Sequence, residues 1–137
     1  MKLSTKGKYG LSAMYYLAQQ SQVEPTTLRE LSEKTSVSQP YLEKVMGLLR
    51  ANGLVNTTRG VMGGYTLAKE AKEITIGEIL RALESDLAFS ACAKTGKCAN
   101  AKCPNKSIFK VVYDKLNDVL DEITLQQMIE NEGEKNE

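Results

Sequence analysis

The sequence predicts a mainly α-helical fold with a small β-hairpin wing, in which a winged helix-turn-helix domain is followed by a long C-terminal helix. Three observations predict it: two short amphipathic helices joined by a tight turn, a glycine-rich hairpin directly after them, and a heptad seam in the last third. The chain has 137 residues, of which 42% are hydrophobic and 26% are charged. It is therefore long enough for one globular core but not for two independent ones.

The first helix is predicted to run from Thr5 to about Gln22. Apolar side chains recur in it at spacings of three and four, which places one stripe of the helix toward a core. Pro25 interrupts the pattern, so a loop is expected around it. The residues of the stripe are Leu11, Met14, Tyr15 and Ala18.

Two short helices follow, and each begins at a sequence cap. Thr27 and Glu30 form a capping box at the start of the first. Ser38 is expected to cap the second, with Pro40 in its first turn and Gly53 as the left-handed residue after its end. Two short helices joined in this way are typical of a helix-turn-helix, although an ordinary helical hairpin in an all-α core has the same pattern.

The segment after these helices favours a β-hairpin. Residues 54–59 and 65–67 are β-prone, and the turn at 60–64 between them contains three glycines. A hairpin directly after a candidate recognition helix is a wing. The order of elements therefore favours a winged domain over a helical hairpin.

The last third predicts a second capping box at Thr75 and Glu78 and then a long helix from Pro104 to about Ile123. The apolar seam of this helix favours pairing with a second copy, although packing on its own domain would produce a similar stripe. The seam consists of Phe109, Val112, Leu116, Val119 and Ile123. The expected units are the winged domain at 1–84, a cysteine-rich loop at 85–103, a dimerisation helix with a short terminal helix at 104–130, and a disordered tail at 131–137.

The charge distribution indicates a polyanionic partner. Residues 1–69 carry nine Lys and Arg against four Glu, a net charge of +5, whereas residues 70–137 carry nine against thirteen acidic residues, a net charge of −4. The expected partner is double-stranded palindromic operator DNA bound by a homodimer, because a two-fold symmetric protein meets two identical half-sites.

Base contacts are expected near the N-terminus of the second short helix, where side chains reach deepest into a major groove. Gln39 can bond adenine and Glu43 can accept from the amino group of cytosine, although Glu43 could instead pair with a neighbouring lysine. The candidates for base contacts are Ser38, Gln39, Tyr41, Glu43 and Lys44, with Arg59 entering a minor groove from the wing. The candidates for phosphate contacts are Lys2, Lys6, Lys8 and Arg50.

Other classes of protein are disfavoured. No apolar run reaches about 18 residues, the length of a membrane span, and the first residues lack the apolar core of a signal peptide, so a cytoplasmic protein is expected. An enzyme is not expected, because no nucleotide fingerprint occurs and the chain contains no histidine to activate a cysteine. A protein-interaction module built on a winged helix is the other alternative.

Cys92, Cys98 and Cys103 are the only cysteines and lie within twelve residues of each other. An odd count in a reducing cytoplasm argues against a disulfide framework. Iron–sulfur clusters are held by cysteine thiolates, and the lysines around this loop would favour the thiolate form of the three cysteines. The three residues are therefore candidate metal ligands. The alternative is that they are inert. Zinc is disfavoured, because its structural sites close with four Cys or His ligands.

Several motifs together resemble the Rrf-type winged helix-turn-helix regulators, and most closely the iron–sulfur cluster regulators among them. The resemblance covers nearly the whole chain and implies a homodimeric repressor or activator. It implies that Tyr41, Glu43 and Arg59 take part in DNA recognition, and that Glu43 helps a bound cluster to alter the site preference. The motifs are residues 1–9, Tyr41-Leu42-Glu43, residues 49–55, Arg59-Gly60, Gly63-Gly64-Tyr65, Ile76-Gly77-Glu78, the three cysteines and Ile123-Thr124-Leu125.

The resemblance also implies a [2Fe–2S] cluster, or a [4Fe–4S] cluster with one open site, and control of iron–sulfur cluster biogenesis genes. The sequence departs from that pattern: the second cysteine gap is one residue shorter, Lys106 stands in place of the histidine ligand, and Lys8 replaces the acidic ligand of nitric oxide-sensing relatives. The alternatives are a cluster-free or thiol-switch regulator of cysteine metabolism and a nitric oxide-sensing repressor. The fourth ligand stays open among Glu84, Asp86, Asn105, an exogenous thiol and an open iron.

Overall fold

The computed structural model of the protein describes residues 3–61, 63–84, 87–88, 93–94 and 102–135. Six helices and one antiparallel hairpin lie within them, which confirms the expected fold class. No helix in this part of the chain is long and apolar enough to cross a membrane. The elements are α1 (Thr5–Gln19), α2 (Leu28–Thr35), α3 (Gln39–Ala51), β1 (Val55–Thr58), β2 (Gly64–Leu67), a 3-10 turn (Ala71–Glu73), α4 (Ile76–Leu83), α5 (Asn105–Glu122) and α6 (Leu125–Lys135).

Helix α1 ends at Gln19, three residues before the end expected from the sequence. The reason is the side chain of Gln22, which bonds to the backbone instead of extending the helix. Its amide nitrogen donates to the carbonyl oxygens of Leu17 at 2.9 Å and Gln20 at 2.8 Å. Its oxygen accepts from the backbone N–H of Leu67 at 2.7 Å, so the loop after α1 is attached to the wing.

The caps of α2 and α3 set the turn between them. The capping box at α2 is confirmed: the Thr27 hydroxyl accepts from the Glu30 N–H, and the Glu30 carboxylate accepts from the Thr27 N–H, each at 3.1 Å. Ser36 ends α2 in the left-handed region, with φ of 61°. Gly53 adopts φ of 74° after α3, as expected, which a glycine tolerates without strain.

The capping box expected at α4 forms only in part. The Thr75 hydroxyl accepts from the Glu78 N–H at 3.1 Å. The Glu78 carboxylate does not return to Thr75 but accepts from Lys69 at 2.9 Å. The ion pair with Lys69 therefore takes the place of the second capping bond.

The hydrophobic core contains buried residues from each of the helices α1 to α4 and from the start of α6. Leu125 is fully buried and belongs to the same apolar cluster as Leu17, Leu49 and Ile79. The backbone of the α5–α6 junction is also fixed, because the N–H of Leu125 donates to the carbonyl of Ile74 at 2.8 Å. The division of the chain expected at 84 and 104 therefore does not divide the core.

Helix α6 continues to Lys135, past residue 131, where the sequence places the start of a polar tail. Two features explain the longer helix. Leu125 anchors its first turn in the core, and Met128 packs on the same cluster one turn later. The side chains of Gln126 and Glu130 also bond at 3.3 Å across one turn.

The wing is a short hairpin whose root is attached to the start of α2. Val55 pairs with Leu67, and Thr57 pairs with Tyr65. Tyr65 also exchanges two backbone hydrogen bonds with Thr26, at 2.9 and 2.8 Å. The orientation of the wing is therefore fixed to the helix-turn-helix and not only to its own turn.

Glycine is required at position 64 but not at position 47. A Cβ on Gly64 would lie against the backbone carbonyl of Thr26, whereas a Cβ on Gly47 has no heavy atom within 4 Å. We expect Gly64→Ala to lower the free energy of unfolding by about 1–3 kcal/mol, as overpacking does. Gly47→Ala should raise it by about 0.5–1 kcal/mol, because alanine loses less entropy in a helix. Urea unfolding of both variants tests this; equal effects would contradict the fixed wing root.

Candidate nucleic-acid interface and cysteine loop

Helix α3 separates its apolar and polar residues cleanly. Its core-facing side chains are buried, namely Leu42, Val45, Met46 and Leu49. The opposite face is exposed and presents four polar or charged side chains together with Pro40, Gly47 and Ala51. The exposed residues on it are Gln39, Pro40, Glu43, Lys44, Gly47, Arg50 and Ala51.

Ser38 lies at the N-cap position of α3 but makes no capping hydrogen bond, contrary to the expectation from the sequence. Pro40 provides the reason. It occupies the second helical position and has no N–H, so one of the two donors that a cap usually satisfies is missing. The exposed Ser38 hydroxyl at this helix end therefore makes no capping bond within the chain.

Glu43 has no ion-pair partner within 4.0 Å among the residues that the structure describes. The pairing with a neighbouring lysine, which the sequence left open, is therefore absent there. Tyr65 lies near it: burial raises the pKa of the Tyr65 hydroxyl, the charge of Glu43 raises it further, and the charge of Arg50 lowers it. Tyr65 thus lies between the root of the wing and the exposed face of α3.

Arg59 follows β1 directly and is exposed at the start of the wing turn. The turn depends on glycine, since Gly60 adopts φ of 108° and a Cβ on Gly63 would lie against the carbonyl of Thr58. Arg50 at the end of α3 is exposed as well.

The first turns of α1 lie beside α3. The ring of Tyr9 packs edge-on against the ring of Tyr41, with centroids 5.7 Å apart and planes at 90°. Lys8 is exposed and Lys6 is half-buried on the same turns. Lys2 lies outside the described residues. The sequence did not reveal Tyr9 as a support of Tyr41, because nothing local relates residues 32 positions apart.

Of the three cysteines, Cys103 is the one within the described residues; Cys92 and Cys98 lie outside them. Cys103 is a half-buried free thiol immediately before Pro104, the N-cap residue of α5. In the part of the loop that is described, Leu87 and Ala93 are buried. No cluster of three metal-ligating side chains occurs within the described residues.

Glu84 lies between the end of α4 and the cysteine loop, and its side chain is hydrogen-bonded to the start of α1. Its Oε1 accepts from the Ser4 N–H at 2.8 Å and from the Ser4 hydroxyl at 2.7 Å. Of the other candidates for a fourth ligand, Asn105 begins α5 and is exposed, whereas Asp86 lies outside the described residues.

Helix α5 is held to α4 by polar contacts. Arg81 donates to both carboxylate oxygens of Asp121, at 2.6 and 3.1 Å, and to the side-chain oxygen of Asn117 at 2.6 Å. Gly77 lets α5 approach, since a Cβ there would lie against Asp121. No residue of α5 is fully buried.

Apolar side chains remain exposed along α5. Of the predicted seam, Phe109 and Leu116 are half-buried, whereas the other three residues are exposed. The apolar stripe of α5 is therefore partly exposed in a single copy. The exposed apolar face consists of Ile108, Val111, Val112, Val119 and Ile123, with exposed fractions of 38–53%.

Comparison with known families matches residues 3–131 to the family Rrf2, described as an iron-dependent transcriptional regulator. Among curated proteins, the HTH-type transcriptional regulator IscR of Escherichia coli is 35% identical over 133 residues. That match covers 96% of this chain and 82% of the relative.

The solved structures that resemble this chain include both IscR and CymR proteins. T. potens IscR is 38% identical, with a TM-score of 0.80 over 100% of this chain and 92% of that one. CymR, the global cysteine regulator of B. subtilis, is 34% identical, with a TM-score of 0.80 over 96% and 98%. The oxidized form of Staphylococcus aureus CymR is 37% identical, with a TM-score of 0.75 over 95% and 97%.

Proposed function

Because this chain belongs to the Rrf2 family of DNA-binding transcription regulators, we propose that it binds palindromic operator DNA as a homodimer and senses iron–sulfur or redox status through its three cysteines. The observation that carries the proposal is the exposed polar face of α3 beside a wing of fixed orientation. The genes we propose as its targets are those of iron–sulfur cluster biogenesis.

We assign base contacts to the N-terminal half of α3. A recognition helix presents these residues deepest in the major groove, and Glu43, which has no ion-pair partner among the described residues, can accept from the amino group of cytosine. Arg59 enters the minor groove from the wing, where the negative potential favours a guanidinium. The proposed base contacts are Ser38, Gln39, Tyr41, Glu43 and Lys44, and the proposed phosphate contacts are Lys2, Lys6, Lys8 and Arg50.

The exposed apolar face of α5 is the proposed dimer interface. An 18-residue helix without one buried side chain leaves an uncovered stripe, which a second copy would bury. The charges along the helix are segregated, with Lys106 and Lys110 near its start and Asp121 and Glu122 at its end. This order opposes the helix dipole. Antiparallel pairing of two α5 helices would place each basic end beside the acidic end of the other copy, in addition to the pairs that Lys110 makes with Asp114 and Asp121 makes with Arg81. This charge order favours a second copy as the occupant.

The donor set of the cysteine loop suits an iron–sulfur cluster. Such clusters are held by thiolates, and Cys92, Cys98 and Cys103 would supply three of them. When bound, the cluster would supply a redox-active, exchangeable centre at the start of the dimerisation helix. The Oε1 of Glu84 is committed to Ser4, which disfavours Glu84 as the fourth ligand and leaves Asp86, Asn105, an exogenous thiol and an open iron as the candidates.

A cluster-free regulator is the second candidate. It is favoured by the similarity to CymR, which is as high in TM-score as the similarity to IscR, and by the absence of histidine from the chain. In that case the cysteines act as a thiol switch, or a bound protein replaces the cluster, and the targets belong to cysteine metabolism.

We expect Arg59→Ala to weaken binding to an operator duplex, selected from random DNA with the wild-type protein, by about 1–3 kcal/mol. This is the scale of one good contact to a base. Fluorescence anisotropy with a labelled duplex at physiological salt measures the change. Arg29→Ala is the matched control, because Arg29 is an exposed arginine that pairs with Glu33 on α2. Equal affinities of the two variants would remove Arg59 from the interface.

A further inference from the structure

The bond between Glu84 and Ser4 joins two segments that are eighty residues apart in sequence. Ser4 is the N-cap residue of α1, and its hydroxyl also accepts from the Gly7 N–H at 3.3 Å. A Cβ on Gly7 would lie against Oε1 of Glu84, so the glycine lets the carboxylate reach the end of the helix. A carboxylate at a helix N-terminus is favoured by the helix dipole.

The contact continues along α1 toward the recognition helix. One turn after Gly7, a Cβ on Gly10 would lie against the side chain of Leu83, so α1 and the end of α4 lie very close together. Between these glycines, Tyr9 packs against Tyr41 at the start of α3. The first turns of α1 therefore lie between Glu84 on one side and the recognition helix on the other.

We propose that Glu84 is a positioning residue for DNA recognition. By fixing the first turn of α1 through Ser4, it holds the Tyr9 ring against Tyr41 and holds Lys6 and Lys8 at the edge of the interface. The inference rests on the proposed DNA contacts but not on the cluster. A carboxylate that merely stabilised the end of α1 would change the free energy of unfolding and leave the affinity of the folded protein for DNA unchanged.

The test uses full-length protein without metal and a duplex selected from random DNA, at a temperature where every variant is folded. We expect Glu84→Ala to weaken DNA binding by about tenfold, because one hydrogen-bonded contact that fixes the start of α1 is lost. Glu84→Gln keeps an oxygen that accepts from Ser4 and should restore affinity to within about twofold of the wild type. The control is Glu78→Ala, which removes a carboxylate from α4, the helix that Glu84 follows, at a residue bonded to Lys69.

A double-mutant cycle tests the route through Tyr9. If Glu84 acts through this ring, Glu84→Ala and Tyr9→Ala together should cost less than the sum of the two single effects. Hydrogen exchange at the amides of Gly7 and Lys8 should also be faster in Glu84→Ala than in Glu78→Ala.

Two results would overturn the inference: a folded Glu84→Ala with the affinity of Glu78→Ala, or a Glu84→Gln that fails to restore binding. Either result leaves the proposed function intact, because the wild type would still bind the duplex. A wild type that binds no DNA would overturn both. Neither measurement depends on whether the protein can hold a cluster.

Discussion

Val112→Asp is expected to convert the proposed dimer to a monomer and to lower operator affinity by at least about 100-fold, the lower end of the gain that bivalent binding provides. Val112 lies in the exposed apolar face of α5 with an exposed fraction of 47%. Two-fold symmetry places the substitution in the interface twice. Each aspartate would then lose water without gaining a partner, which is costly for a charge.

Sedimentation equilibrium and anisotropy measure the two effects on the same samples. Val23→Asp is the matched control, since Val23 is 91% exposed and lies in the loop after α1, away from α5. It should leave the mass unchanged, and it serves as a control for the mass alone, because Val23 lies beside Val61 of the wing turn. A Val112→Asp protein that remains dimeric and binds normally would show that α5 is not the interface.

Cys92→Ala is expected to abolish bound iron and sulfide after anaerobic purification, together with the visible absorbance of the protein. With three thiolates in the chain, the loss of one leaves two, which is too few to hold a cluster that already lacks a fourth protein thiolate. Iron, sulfide and absorbance are measured per chain on protein reconstituted in parallel with the wild type.

Lys94→Ala is the control for that experiment, because Lys94 is an exposed residue of the same loop and not a proposed ligand. It should keep the spectrum. Colourless wild-type protein after careful anaerobic reconstitution would end the cluster hypothesis and favour the cluster-free regulator. An unchanged spectrum in Cys92→Ala would place the cofactor elsewhere.

The sequence predicted those parts of the fold that depend on neighbouring residues. The Thr27–Glu30 capping box, the left-handed Gly53 and the hairpin between β1 and β2 all arise from interactions within a few positions. Such patterns appear directly in the sequence because caps and turns require particular residue types.

What the sequence missed depends on contacts between distant residues. The Tyr9–Tyr41 pair and the Glu84–Ser4 bond join segments that only the folded core brings together. The early end of α1 has the same origin, since Gln22 leaves the helix to bond the wing. Periodicity detects an apolar stripe but not the element that covers it.

We propose that the polar face of α3, presented twice by a symmetric dimer, contacts DNA. The most direct measurement is a structure of the protein bound to the palindromic duplex that it selects. We expect two chains on each duplex, with the Gln39–Lys44 end of each α3 in a major groove and Arg59 in the adjacent minor groove. A single chain on the duplex, or an α3 turned away from both grooves, would contradict it.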